Sequence, residues 1–310
     1  MKMQNQRQVY GETLVELGRE NKDIVVLEAD LGKSTMTVLF EQEFPDRFFE
    51  MGIGEANMTS FAAGLSLAGK IPFTNSFAVF AAGRAFDQIR QAICIPELNV
   101  KIVGSSAGLS DFGDGATHQS VEDVAIMRAI PGMTVLAPAD GIETRKMVRK
   151  MAGFDGPVYL RINRHDMPDL FPEDQESVIG KPYLIREGKE IVVFACGIMV
   201  AKAVEAAEAL EKEGVSVRVV NVSSLKPVDD KEIKRFTSGM KGIVTAEEHS
   251  LIGGLASVIT YILRGSAIPI VPVGIEDRFG QSAHGYDELL EEYGLTDFNI
   301  TRSVKELLRK

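Results

Sequence analysis

Short apolar runs alternate with stretches of helical period along most of the chain. The runs IVVLE (24–28), IPFTN (71–75), VKIVG (100–104), MTVLA (133–137) and PVYLRI (157–162) are rich in β-branched residues. Gly, Pro or Asp bound them, which predicts buried strands. The intervening segments 4–20, 57–69, 78–95, 121–129 and 141–152 read as helices. Regular alternation of this kind predicts an α/β fold with a mostly parallel sheet covered by helices. Ligands of such sheets bind beyond the carboxyl ends of the strands. Chemistry is therefore expected in the loops 29–37, 52–56, 74–77, 104–120 and 163–168.

The stretch 163–182 holds three prolines among many polar residues and reads as a connection between domains. Beyond it the alternation restarts, with strands predicted at 191–195, 215–220, 242–247 and 268–273. Helices are expected at 199–213, near 229–238 and at 253–264. The expected organisation is a first domain over 1–165, a linker over 166–185 and a second, smaller α/β domain over 186–310.

A chain of 310 residues, 45% hydrophobic and 25% charged, has ordinary globular composition. The formal charge of −10 disfavours nucleic acid and anionic membrane surfaces as partners, while leaving room for a local basic pocket. The apolar run from Ile191 to Ala201 is broken by Gly197 and too short to span a bilayer, and the N-terminus MKMQNQRQ has no signal-like apolar stretch. A soluble cytoplasmic protein is expected. Cys94 and Cys196 provide neither a disulfide framework nor a paired-cysteine metal site.

Against that background a few polar residues matter. Glu55, in MGIGEANMTS, opens a predicted helix just after the strand-like FFEM. It reads either as an acidic residue favoured by the helix dipole or as a carboxyl poised for acid–base work in a Gly-lined crevice. Phe77 and Phe80 are core residues by spacing, or a platform for a flat heterocycle by position. The loop GSSAGLSDFGDGATHQSVED (104–123) is long and rich in Gly and Ser, and carries Asp114 and His118 four residues apart, a composition typical of functional loops. Arg164, at the end of the strand that closes the first domain, has a planar fork suited to phosphate, with Arg161, Arg7 and Lys33 as further basic candidates. His249 and His284 lack partners at a chemically useful spacing.

Together, EADLGKST, PDRFFEMGIGEANMTSFAAGLSLAGKIPFTNSFAVF, GDGATHQSVED and GPVYLRINR resemble transketolase, and EDRFGQSAHGYDELLEEYGL is similar to that family's C-terminal domain. The resemblance covers the second half of a full-length transketolase. It implies a pyrimidine-binding domain of the thiamine diphosphate enzymes, followed by a C-terminal domain that is structural or interface-forming. It further implies that Glu55 shares a proton with the aminopyrimidine ring of the cofactor, with Phe77 stacked on that ring and Phe80 beside it. Asp30 and Leu31 match positions near the cofactor. Arg7, Ser34 and Arg164 match positions that hold the sugar phosphate, and Asp114 and His118 match contacts to the ketose hydroxyls, His118 with a catalytic part.

Two departures from the family stand out. Many transketolases carry a histidine where this chain reads Gly104-Ser105-Ser106, and the stretch SDFGDG is longer than its family counterpart. In the family, Gly-Asp-Gly followed about 25–30 residues later by Asn holds the diphosphate and its metal. Gly113-Asp114-Gly115 is not such a motif, because the next Asn is Asn163. No metal ligand is therefore assigned to this chain, and Mg²⁺ or another divalent cation is expected on a partner. The expected reaction is transfer of a two-carbon ketol unit between ketose and aldose phosphates, such as xylulose 5-phosphate and ribose 5-phosphate. A separate N-terminal subunit would supply the diphosphate-binding domain in a two-plus-two assembly. The β subunit of a 2-oxo acid dehydrogenase and a catalytically silent interaction subunit are the alternatives.

Overall fold

The computed structural model describes residues 2–309. Its strands in chain order are β1 (Met3–Asn5), β2 (Ile24–Glu28), β3 (Phe48–Glu50), β4 (Ile71–Phe77), β5 (Lys101–Ser105), β6 (Thr134–Leu136) and β7 (Val158–Arg161). These are followed by β8 (Asp166–Pro168), β9 (Tyr183–Arg186), β10 (Ile191–Ala195), β11 (Val217–Asn221), β12 (Ser224–Lys226), β13 (Gly242–Ser250) and β14 (Ile270–Ile275). A seven-stranded sheet runs β12-β6-β7-β5-β4-β2-β3 and a five-stranded sheet runs β14-β13-β10-β11-β9. Within these two sheets all pairings are parallel except those of β12 and β9, each at a sheet edge. The predicted α/β class and both sheets are present.

The central strands carry apolar runs because both faces are covered: all five residues of β2 and all five of β10 are buried. The interior is continuous between the two sheets. One apolar cluster runs from Val25 and Leu27 through Val135 and Tyr159 to Val192 and Phe194. The later half of the chain also lends β12 to the first sheet, where Ser224 pairs with Leu136 and Lys226 with Val135.

Several elements differ from the sequence reading. The first helix is Gln6–Glu20 rather than starting at residue 4, because the Asn5 side chain caps it by accepting from the amides of Arg7 and Gln8. The helix expected over 78–95 is two π-helical turns, Val79–Arg84 and Ile89–Cys94, around a short α turn at Phe86–Gln88. The connecting stretch after residue 165 is partly structured: β8 pairs antiparallel with β1, and Met167 is fully buried. Helices Tyr286–Glu292 and Asp297–Arg309 close the fold.

Candidate functional site

The carboxyl ends of β2, β3, β4, β5 and β7 point to one edge of the seven-stranded sheet, and the loops leaving them carry the site. Glu55 is the first residue of the helix Glu55–Leu67, five positions past the end of β3, and only 3% of it is exposed. Its Oε1 accepts from Ser76 Oγ at 3.3 Å and from Arg84 Nη1 at 3.1 Å. Arg84 is half-exposed and lies over the Phe80 ring, 3.9 Å from its centroid. The rings of Phe77 and Phe80 stack at 6.2 Å with 16° between their planes, and the His118 imidazole meets Phe80 edge-on at 5.2 Å. His118 Nδ1 bonds Thr117 Oγ1 at 2.9 Å, which leaves Nε2 for a ligand. A buried carboxyl, an aromatic pair and an imidazole thus lie together beyond the end of β4.

A second group lies at the ends of β2 and β7. Arg7, in the first turn of its helix, donates from Nη1 to the Ser34 carbonyl at 2.7 Å and from Nη2 to the Arg164 carbonyl at 3.2 Å. Burial and the nearby Arg164 lower Arg7 to about 10, so it stays protonated at neutral pH. Arg164 Nη1 reaches Asp111 Oδ2 at 2.8 Å. Burial raises the Asp111 carboxyl, against the pull of Arg164.

Most of the residues read from the sequence fall in these two groups. Glu55, Phe77, Phe80 and His118 form the first. Arg7, the Ser34 backbone and Arg164 form the second. Asp114 is exposed in the same loop and is felt electrostatically by Asp111, as is His118. Asp30 and Leu31 stand in the loop after β2, where Asp30 adopts a left-handed φ of 61° and its amide donates to Glu50. No described contact joins either residue to Glu55 or Phe77. Arg161 does not face the site: it is buried, paired with Asp123 at 3.0 Å, and donates to the carbonyls of Ser120 and Glu248. Its candidacy as a basic residue for a ligand is withdrawn, because its charge is already matched inside the protein.

Sequence reasoning missed Ser76, Arg84 and Asp111. Arg84 follows Phe80 by four residues, a helical spacing that could have revealed it. Asp111 lies three positions before Asp114 in the loop already singled out. Glu28, also missed, is fully buried and accepts from the Ala29 amide and from the hydroxyls of Thr35 and Thr37. It thereby fixes the loop that presents Ser34.

Comparison with known proteins identifies the family of both halves of the chain. Residues 2–169 match the family model "Transketolase, pyrimidine binding domain" and residues 180–300 match "Transketolase, C-terminal domain". The chain is 42% identical over 308 residues to a "Putative transketolase C-terminal section" of Methanocaldococcus jannaschii, covering 98% of this chain and 96% of the relative. A "6-deoxy-6-sulfo-D-fructose transketolase subunit" from a Clostridium species is 40% identical, over 98% of this chain and 94% of its own. A solved structure titled "Split gene transketolase, inactive beta4 tetramer" superposes with a TM-score of 0.89 at 48% identity, covering 98% of both chains.

Proposed function

The chain belongs to the transketolase family, and from that premise we propose that it is the C-terminal subunit of a split, thiamine diphosphate-dependent transketolase. Its partner would be a separate N-terminal polypeptide that holds the diphosphate and a divalent cation such as Mg²⁺, in a two-plus-two assembly. The reaction would move a two-carbon ketol unit between sugar phosphates, with xylulose 5-phosphate as donor and ribose 5-phosphate as acceptor. The observation that carries this reading is the buried Glu55 carboxyl beside the Phe77–Phe80 ring pair.

That arrangement fits the aminopyrimidine half of the cofactor. Such a ring needs an acid to meet a ring nitrogen and an apolar flank to exclude water, and this cleft offers both. Among the described residues the charged group paired with Glu55 is the half-exposed Arg84, which can swing into solvent. When bound, thiamine diphosphate supplies the electron sink that ketol transfer requires. The chain's own residues then bind, orient and move protons. Glu55 would share a proton with the ring nitrogen through one carboxyl oxygen, with Ser76 fixing the carboxyl from the side. Phe77 and Phe80 keep the ring dry and in place. His118 Nε2 donates to or accepts from a sugar hydroxyl, oriented by Thr117 at Nδ1. Asp114 contributes a further polar contact, and Asp30 and Leu31 line the cofactor side. Arg7 and Arg164 face the far end of the sugar, and Arg7 bridges the carbonyls of Ser34 and Arg164.

Glu55→Gln in the assembled enzyme tests this reading, since it keeps the shape and removes the shared proton. Turnover should fall about 10²–10⁴-fold, the usual scale for a lost acid–base group, with the circular dichroism spectrum unchanged. Wild-type turnover in that variant would refute the role of Glu55.

A further inference from the structure

Asp111 is 2% exposed and sits against one of the two arginines expected to face the substrate's far end. Its main chain is held from several sides. The Asp111 carbonyl accepts from Gln119 Nε2 and from the Gly115 amide, both at 3.2 Å. Gln119 also donates to the carbonyls of Leu109 and Gln281, the Ala283 amide donates to the Phe112 carbonyl, and the Arg164 amide donates to Ser110 Oγ. The carboxylate is therefore a built part of the wall, and only rotation of its own side chain can move it. Arg7 is differently placed. Its two terminal nitrogens donate to main-chain carbonyls, and among the described residues no carboxylate lies within ion-pairing distance of it.

We propose that Asp111 is a specificity-determining residue: it competes with a terminal phosphate for Arg164 and so biases the enzyme against substrates with a doubly negative end. The inference rests on the reading that Arg7 and Arg164 bind the far end of the sugar. Among the described residues one of these cations has no ion-pair partner, and the other is already paired with a carboxylate. A phosphate dianion seated between them would meet the Asp111 charge in a partly dehydrated site, where like charges repel far more than in bulk water. A singly charged sulfonate would meet less repulsion. Discrimination by a built-in repulsive group is a general device of selective sites. The residue lies in the stretch SDFGDG, the part of the loop that is longer than its family counterpart.

The rival role for Asp111, orienting the Arg164 fork for phosphate, predicts the opposite sign, so one experiment separates the two. The complex of this chain with its N-terminal partner is titrated calorimetrically with fructose 6-phosphate and with 6-deoxy-6-sulfofructose. Asp111→Asn, with Asp111→Ser as a second substitution should the first fold poorly, is expected to tighten the phosphate about tenfold and the sulfonate by less. In an Arg164→Gln background the same substitution should tighten phosphate less, because only the direct repulsion is then relieved. Unchanged or weaker phosphate binding in both Asp111 variants overturns the proposal, and so does tightening as large without Arg164 as with it. Turnover measured on the same samples judges the transferase reading separately. Tightening without any ketol transfer would remove that reading and leave the charge preference standing.

Discussion

At the end of β5, a Cβ placed on Gly104 would run into the Tyr159 hydroxyl and lie 2.9 Å from Ala78 Cα. Tyr159 is fully buried and donates to Asp123 Oδ2 at 2.8 Å, inside the same charged cluster that holds Arg161. The resemblance expects a histidine within the stretch Gly104-Ser105-Ser106, and at its first position a side chain would have to displace Tyr159 or Ala78. Gly104→Ala should cost about 1–3 kcal/mol, the usual scale for overpacking a tight core, seen as a lower urea midpoint. An unchanged midpoint would show that β5 and Tyr159 part more easily than this geometry allows. The absence of the histidine was legible in the sequence, but the tight packing at Gly104 was not, because Tyr159 lies 55 residues further on and meets Gly104 only in the folded sheet.

The loop from Ala29 to Thr37 is an element hung on one carboxyl. Burial raises Glu28 to about 7, opposed by hydrogen bonds from Thr35, Thr37 and the Ala29 amide. A folded-state value above the ordinary 4.5 means that the folded protein holds the proton more tightly than the unfolded chain. The corresponding stability is fully present below about pH 4.5 and is lost as pH rises through about 7. Glu28→Gln keeps the acceptor for Ala29 and the neutral shape, so its melting temperature should fall less than that of the wild type between pH 5.5 and pH 8. Parallel melting curves would place the charged form of Glu28 comfortably inside the fold. Element identity was largely readable here and elsewhere, since long buried strands such as β2 and β10 are continuous apolar runs. The three- and four-residue strands β1, β8, β9 and β12 escaped the reading, as they are too short to show a period and are stabilised by pairing with distant partners. The π-helical turns after Phe77 likewise have no signature separable from an α-helix.

Across the whole molecule the two sheets behave as one interior. Glu248 of the second sheet accepts from the Leu109 amide, Asn163 Nδ2 and the Tyr286 hydroxyl, and its carbonyl accepts from Arg161, so the loop after β5 and the end of β7 are both fastened to β13. The C-terminal half thereby positions the loop that carries Asp111, Asp114 and His118. Sequence patterns located those loops at strand ends. They could not show that Asp111 pairs with Arg164, or that Arg161 is spent inside the protein, because both facts depend on side chains brought together by folding. On the proposed reading, Glu55 and the two phenylalanines hold one half of the cofactor, Arg7 and Arg164 hold one end of a sugar, and the remaining contacts fall to a partner polypeptide. The most direct measurement is formation of glyceraldehyde 3-phosphate from xylulose 5-phosphate and ribose 5-phosphate, with thiamine diphosphate and magnesium present, by this chain alone and by this chain mixed with its N-terminal partner. The account predicts product only in the mixture; no product from the mixture, or equal product from the chain alone, would contradict it.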